Sequence, residues 1–178
     1  MEISEFNPAQ SQEVIGLFSD VFVDAEGEAE GRLIGSLVAE LIDTTDKDDL
    51  IGFVASLDNR LTGAIFFSRF TLPTDKVAFL LSPVAVATEC QGRGVGQQLI
   101  RFGLGQLQSR GVELALTYGD PNYYGKVGFQ PLSENVIKAP LKLSFPHGWL
   151  AQALDGSEIE AVAGETCCVR ALDDQQYW

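Results

Sequence analysis

The stretch CQGRGVGQQLI, residues 90–100, holds three glycines at every second position, one arginine and no acid. It closes the long apolar run KVAFLLSPVAVA and opens onto residues of helical spacing. A strand that ends in spaced glycines and enters a helix makes an anion site. The glycines let backbone N–H groups turn inward together, and the helix N-terminus adds partial positive charge. Arg93 adds a full one. The nucleotide fingerprints do not fit: Gly92, Gly94 and Gly96 have G-x-G-x-G spacing, and no Lys-Ser/Thr pair follows the last glycine, as a P-loop requires. The residues alone leave two readings open, a phosphate cradle and a glycine turn that packs helix on strand.

The setting makes that turn unusual. The chain carries 25 acidic and 12 basic residues, a formal net charge of −13. Such a balance repels phosphate backbones, so nucleic acid is not an expected partner; the acids would attract cations or serve as a solubilising coat. A phosphate site here must be supplied by main chain. The 178 residues favour a single domain, 1–178, since a domain usually takes about 100–200. No apolar run is long enough to span a bilayer, and MEISEFNPAQ has neither the basic nor the apolar region of a secretory signal. A soluble, cytoplasmic protein without membrane contact is expected. Cys90, Cys167 and Cys168 match no zinc module, and His147 is the only histidine, so free thiols and no metal are expected.

The elements that must position the turn can be read in order. EISEF alternates as a strand. Asn7-Pro8 opens a helix with Val14, Leu17, Phe18, Val21 and Phe22 at helical spacing, and a second helix carries Leu33, Leu37 and Leu41. LIGFVASL and RLTGAIFFSRF flank Asp58-Asn59, a pair that tolerates the positive φ of a tight hairpin turn. KVAFLLSPVAVA is a central strand, with Pro83 breaching its ladder on one side. The following helix places Val95, Leu99, Phe102 and Leu107 inward. Gly103 and Gly105 within it, each costing ~1 kcal/mol against alanine, predict a close approach to the sheet. VELALTY is a strand, PNYYGKV a short helix and GFQPL the start of another strand. EIEAVA and ETCCVRAL, around Gly164, predict a C-terminal hairpin within 132–178. The class is α+β (mixed α/β): a central mixed, mostly antiparallel sheet with helices on both faces.

VAVATECQGRGVGQQLI closely resembles the Q/R-x-x-G-x-G/A signature of the GNAT N-acetyltransferase superfamily, with Gln91, Gly94 and Gly96 at the signature positions. YGDPNYYGKVGF resembles the family's second motif, in which a tyrosine precedes Gly-Phe by four residues; here Tyr124 precedes Gly128-Phe129. The match is most similar to the YhbS-like branch of predicted acetyltransferases and covers residues 76–131. The resemblance implies the acyl-CoA N-acyltransferase fold, splayed at the cofactor strand. It also implies acetyl-CoA as cofactor and direct acetyl transfer to a primary amine of a small molecule or peptide. A cationic acceptor would suit the acidic balance. A non-catalytic acyl-CoA-binding module is the alternative, and a nucleotide-binding domain a third.

The same resemblance distributes roles. The pyrophosphate would sit on the amides of Gln91, Gly92, Arg93, Gly94, Val95 and Gly96, reaching Gln97. The pantetheine arm would pair with exposed backbone at Val84, Ala85 and Val86, and an N–H near Val86 would polarise the thioester carbonyl. Tyr124 would be the general acid. No general base is assigned: Glu89 precedes the loop, and Glu26, Glu28 and Glu30 stand where the family's first two helices wall the acceptor site. Cys90 has no histidine near it in sequence, and His147 sits in a Pro/Gly-rich loop. Many family members carry asparagine seven residues before the tyrosine, where this chain has Thr117, and Asn122 does not inherit the role. The tail with Tyr177-Trp178 is a candidate either for packing or for a homodimer contact.

Overall fold

The computed structural model describes all residues, 1–178. Hydrogen-bonded neighbours in its seven-stranded sheet run β1-β2-β3-β4-β5-β7-β6. The strands are β1 Glu2–Glu5, β2 Leu50–Leu57, β3 Arg60–Phe70, β4 Ala78–Val86, β5 Leu114–Tyr118, β6 Gln130–Pro131 and β7 Trp149–Ala153. The helices are α1 Ser11–Glu26, α2 Glu28–Thr44, α3 Val95–Ser109 and the short α4 Pro121–Tyr124. Packing groups the chain into two compact units. One joins Met1–Phe67 to Pro83–Gly103, the other Ser68–Ser82 to Leu104–Trp178. No helix is long and apolar enough to cross a membrane.

In the first unit β1 lies antiparallel to β2, from Glu2 opposite Ser56 to Glu5 opposite Phe53. Asn7 then caps a 3-10 turn with a reciprocal capping box: its side chain accepts from Ala9 N, and the Gln10 side chain accepts from Asn7 N. Gly27, at φ +98°, breaks α1 from α2. The two helices approach closely at Gly31, where a Cβ would stand 2.2 Å from a Val23 methyl. Phe18 of α1 packs on Phe66, while Gly103 of α3 meets Phe67, and a Cβ there would lie 2.6 Å from that ring. Residues 66 and 67 face opposite sides of β3, so helices cover both faces of this part of the sheet. Asp58 and Asn59 adopt φ of 50° and 59°, the left-handed pair expected of the hairpin turn.

In the second unit the start of β4 runs parallel to β5, from Ala78 opposite Leu114 to Leu81 opposite Thr117. The pairing ends there, two residues before Pro83, which has no N–H to extend it. β7 lies antiparallel to β5 and to β6. Trp149 is fully buried, and its indole N–H donates to Ile137 O at 2.9 Å. Trp178 is also buried, stacked on Tyr118 at 5.8 Å and donating to Leu172 O, so this terminal ring packs within its own chain.

Three expectations are corrected. The segment 158–168 forms no hairpin: its backbone bonds reach sideways, Val162 N to Val136 O and Cys167 to Thr71 in both directions. Those distant partners outcompete the local turn at Gly164, which instead lies against Pro73. Phe102 is not on the inner face of α3: it is 36% exposed and meets Phe53 edge-on, and the buried face is Leu99, Ile100, Gly103, Leu104 and Leu107. Gly105 approaches nothing, since a Cβ there would meet open space.

Candidate active site

The glycine turn lies wholly in the first unit. After β4, Ala87 N donates to Thr62 O, and a 3-10 turn over Thr88–Cys90 reverses the chain toward α3. The Gln91 side chain then closes the turn on its own strand, donating from Nε2 to Val86 O at 3.0 Å. Gly92 and Gly94 take φ of +72° and +79°. A Cβ at Gly92 would have open space, so glycine is required there by conformation and not by crowding. Alternating left-handed residues rotate successive N–H groups toward one side, the geometry of an anion nest. Gln98 N is the first helical amide to find an acceptor, Gly94 O at 3.0 Å. The amides of Val95, Gly96 and Gln97 precede it in the first turn of α3, where an α-helix offers its N–H groups no intrahelical acceptor.

The structure modifies one part of the expected donor set. Gln91 N is engaged with Thr88 O at 3.3 Å, so Gln91 serves the turn mainly through its side chain. Gly92, Arg93, Gly94, Val95, Gly96 and Gln97 follow in sequence through the bend, with Arg93 exposed and Gly96 buried. Of the strand residues, Ala85 is buried, and its carbonyl faces Gly63. Val84 and Val86 share the alternate face and are half-buried. A diphosphate fits this bend by charge and by donor type, which meets the demand that main chain supply the site in an acidic protein.

Beside the turn, in the same unit, lies a cavity of about 280 Å³ walled by Glu13, Asp20 and Asp24 of α1 and by Thr88 and Glu89. Thr88 Oγ1 donates to Asp24 Oδ2 at 2.7 Å, tying the loop to the helix. The acids expected to wall an acceptor site, Glu26, Glu28 and Glu30, do not line this cavity. Glu26 and Glu28 are exposed and Glu30 is half-buried, and Glu28 faces Arg32 one turn on at 3.5 Å. The signal missed in the sequence is the i, i+7, i+11 spacing of Glu13, Asp20 and Asp24, one stripe of α1.

Tyr124 belongs to the second unit. Asp120 caps α4 by accepting from Asn122 N at 2.8 Å, and Pro121 fills the first helical position, so the sequence GDPNYY sets the tyrosine's place locally. The Tyr124 ring lies over Gly119, where a Cβ would stand 2.6 Å from ring carbon Cε2. It meets Tyr123 and Phe129 edge-on at 5.1 and 5.9 Å. Tyr123 thus points in a different direction, as helical spacing requires. Burial pushes the Tyr124 hydroxyl up to about 12, with a smaller opposing effect of its hydrogen bond to Thr117 and small upward contributions from Tyr123 and Asp120. The ring keeps some exposure while the protein crowds its hydroxyl. Burial also raises Tyr123. His147 is exposed in a 3-10 turn, its ring edge-on to Phe145, and Cys90 is a buried free thiol.

A strand, glycine turn and helix N-terminus in a mixed sheet, followed by a tyrosine on a short helix, make up the arrangement of the GNAT fold. The chain belongs to that family: the family described as Acetyltransferase (GNAT) domain matches residues 2–132. It is similar to the protein called "Uncharacterized N-acetyltransferase YjhQ" of Escherichia coli K12, 30% identical over 123 residues, covering 66% of this chain and 68% of that one. It is also 30% identical over 91 residues to "Uncharacterized N-acetyltransferase YhbS" of the same strain, spanning about half of each, 51% and 48%. Among solved structures, the fold resembles Escherichia coli YhbS in complex with CoA, with TM-score 0.83 and 21% identity over 98% of this chain and 92% of that one. A GNAT family acetyltransferase from Brucella melitensis in complex with acetyl-CoA has TM-score 0.71 and 24% identity, covering 97% of each chain.

Proposed function

We propose that this chain is a cytoplasmic N-acetyltransferase that passes an acetyl group directly from acetyl-CoA to a primary amine. The observation that carries the reading is the turn Gln91–Gln97, with two left-handed glycines and three first-turn helix amides in a chain of net charge −13. Those amides and Arg93 hold the pyrophosphate, and the backbone of Val84, Ala85 and Val86, past the end of the β4–β5 ladder at Leu81, takes the peptide groups of the pantetheine arm. Bound acetyl-CoA supplies the activated acetyl group and leaves as the free thiol. An acceptor amine must be neutral to attack, and the acid-walled cavity beside the turn suits a group that arrives as a cation. Glu13, Asp20, Asp24 and Glu89 attract it, and a carboxylate or a water held by one takes its proton.

Tyr124 holds the proton needed at the departing sulfur. A phenol near 12 facing a thiol near 8.5 would lie about 5 kcal/mol uphill for complete transfer to a solvated thiolate. Tyr124 therefore acts first as a strong hydrogen-bond donor to the developing charge. Transfer completes to the degree that the sulfur is itself desolvated. The test is thiol release from acetyl-CoA across a panel of amines, cationic and neutral. Release with a subset of amines is expected. Saturable acetyl-CoA binding without release for any amine would turn the reading to a non-catalytic acyl-CoA module, and absence of binding would end both.

A further inference from the structure

We infer that the Gln91 side chain is a positioning residue for the acyl group: it braces the end of β4 so that Val86 N–H stands at a fixed place relative to the phosphate bend. This rests on the proposed acetyl transfer and goes further by giving the Gln91 amide a task at the reacting end of the cofactor. Val86 to Gln91 join the strand to the first glycine of the bend. Their backbone is held almost residue by residue. Ala87 N donates to Thr62 O at 2.9 Å, Cys90 N to Ala87 O at 2.8 Å and Gln91 N to Thr88 O at 3.3 Å. Thr88 Oγ1 donates to Asp24 Oδ2. Gln91 Nε2 then returns to Val86 O at 3.0 Å. The peptide unit between Val86 and Ala87 is thereby fixed at both ends, its carbonyl by Gln91 and its N–H by Thr62 of β3.

That peptide unit sets the direction of the donor before it. Along an extended strand the N–H and C=O groups of successive residues turn to opposite sides. Ala87 N–H points at β3, so Val86 presents both of its groups to the other side, where the β4–β5 ladder has already ended at Leu81. Gln91 takes the carbonyl there. An unfilled Val86 O would attract an N–H of the pantetheine arm and shift the arm along the strand. With Gln91 in place, residue 86 offers its donor in preference, and a carbonyl oxygen is what it fits. In the transfer the amine nitrogen bonds the acyl carbon, the C–S bond breaks, the nitrogen gives a proton to solvent and the sulfur takes one. Negative charge passes over the acyl oxygen on the way, and a donor fixed at that oxygen lowers the barrier.

The test uses acetyl-CoA labelled with ¹³C at the thioester carbonyl. It compares Gln91→Met, which keeps the length and loses the donor, with Gln91→Arg, which restores a donor. Bound to the wild-type protein without amine, the labelled carbonyl is expected downfield of free acetyl-CoA. In Gln91→Met it is expected to return most of the way to the free position, while the amide resonances of Gly92 to Gln97 respond to acetyl-CoA as in wild type. kcat should fall about tenfold with the Kd for acetyl-CoA within about twofold, since a donor moved off the acyl oxygen costs the chemical step and not binding. Gln91→Arg should recover both the carbonyl shift and kcat. A carbonyl shift and kcat equal to wild type in Gln91→Met overturn the role of Gln91. So does loss of the amide response at the bend along with them, which is collapse of the whole site, or an arginine variant that recovers neither. Wild-type protein that binds acetyl-CoA and releases no thiol with any amine sinks the transferase reading, and the role of Gln91 with it.

Discussion

Replacing Tyr124 with phenylalanine removes one oxygen and leaves every ring contact in place: Tyr123, Phe129 and the seat on Gly119. Thr117 keeps its donation to Leu81 O, so no buried donor is orphaned. The stability cost is then about 1 kcal/mol, which in a chain of this size lowers Tm by about 2–4 °C. The effect on rate is far larger. A positioned general acid contributes about 10²–10⁴, or about 3–5 kcal/mol at the transition state. Acetyl-CoA affinity should hold, because the amides assigned to the pyrophosphate lie in the other unit. The assay pairs calorimetric titration of acetyl-CoA with a thiol-release assay from pH 6 to 10. Since burial holds the hydroxyl at about 12, Tyr124 is protonated throughout that range and contributes no falling limb. Turnover within twofold of wild type would remove the acid role. A falling limb near pH 10 that disappears in Tyr124→Phe would show the phenol titrating normally and refute the burial argument.

Other substitutions separate the remaining parts. Gly94→Glu places a side chain at φ +79°, costing about 1–2 kcal/mol in backbone strain, and a carboxylate at the proposed diphosphate site; acetyl-CoA binding should vanish, by calorimetry, with the fold retained by circular dichroism. Gly119→Ala drives a methyl to 2.6 Å from the Tyr124 ring, so the ring must swing; turnover should fall while acetyl-CoA affinity holds. Pairing Asp20→Asn with Asp24→Asn should raise KM for cationic amines and flatten its salt dependence, leaving KM for neutral amines unchanged.

Local signals proved legible wherever the partner of a residue is also local. Asp58-Asn59 makes its turn and the glycine spacing marks the bend after β4, because each depends on dihedral preferences within a few residues. Gly103 announced a close approach for the same reason, since its cost inside a helix needs a compensating contact. The tail was misread because alternation in EIEAVA fixes an extended backbone but not its neighbour, which turned out to be Val136 and not the following segment. Phe102 fits the apolar pattern of α3 yet sits at its margin, where an edge-on contact with Phe53 suffices. At the candidate site the bend was readable from its glycines. The acid stripe of α1 was not, since it depends on which side chains the fold turns toward the loop.

The proposed cofactor site depends first on the amides of one bend. Titrating ¹⁵N-labelled protein with acetyl-CoA and following backbone amide resonances measures them one by one. The resonances of Gly92 to Gln97, above all the first-turn donors Val95, Gly96 and Gln97, should shift downfield with a single saturating isotherm. Saturable binding that leaves those resonances still and moves others would contradict the account.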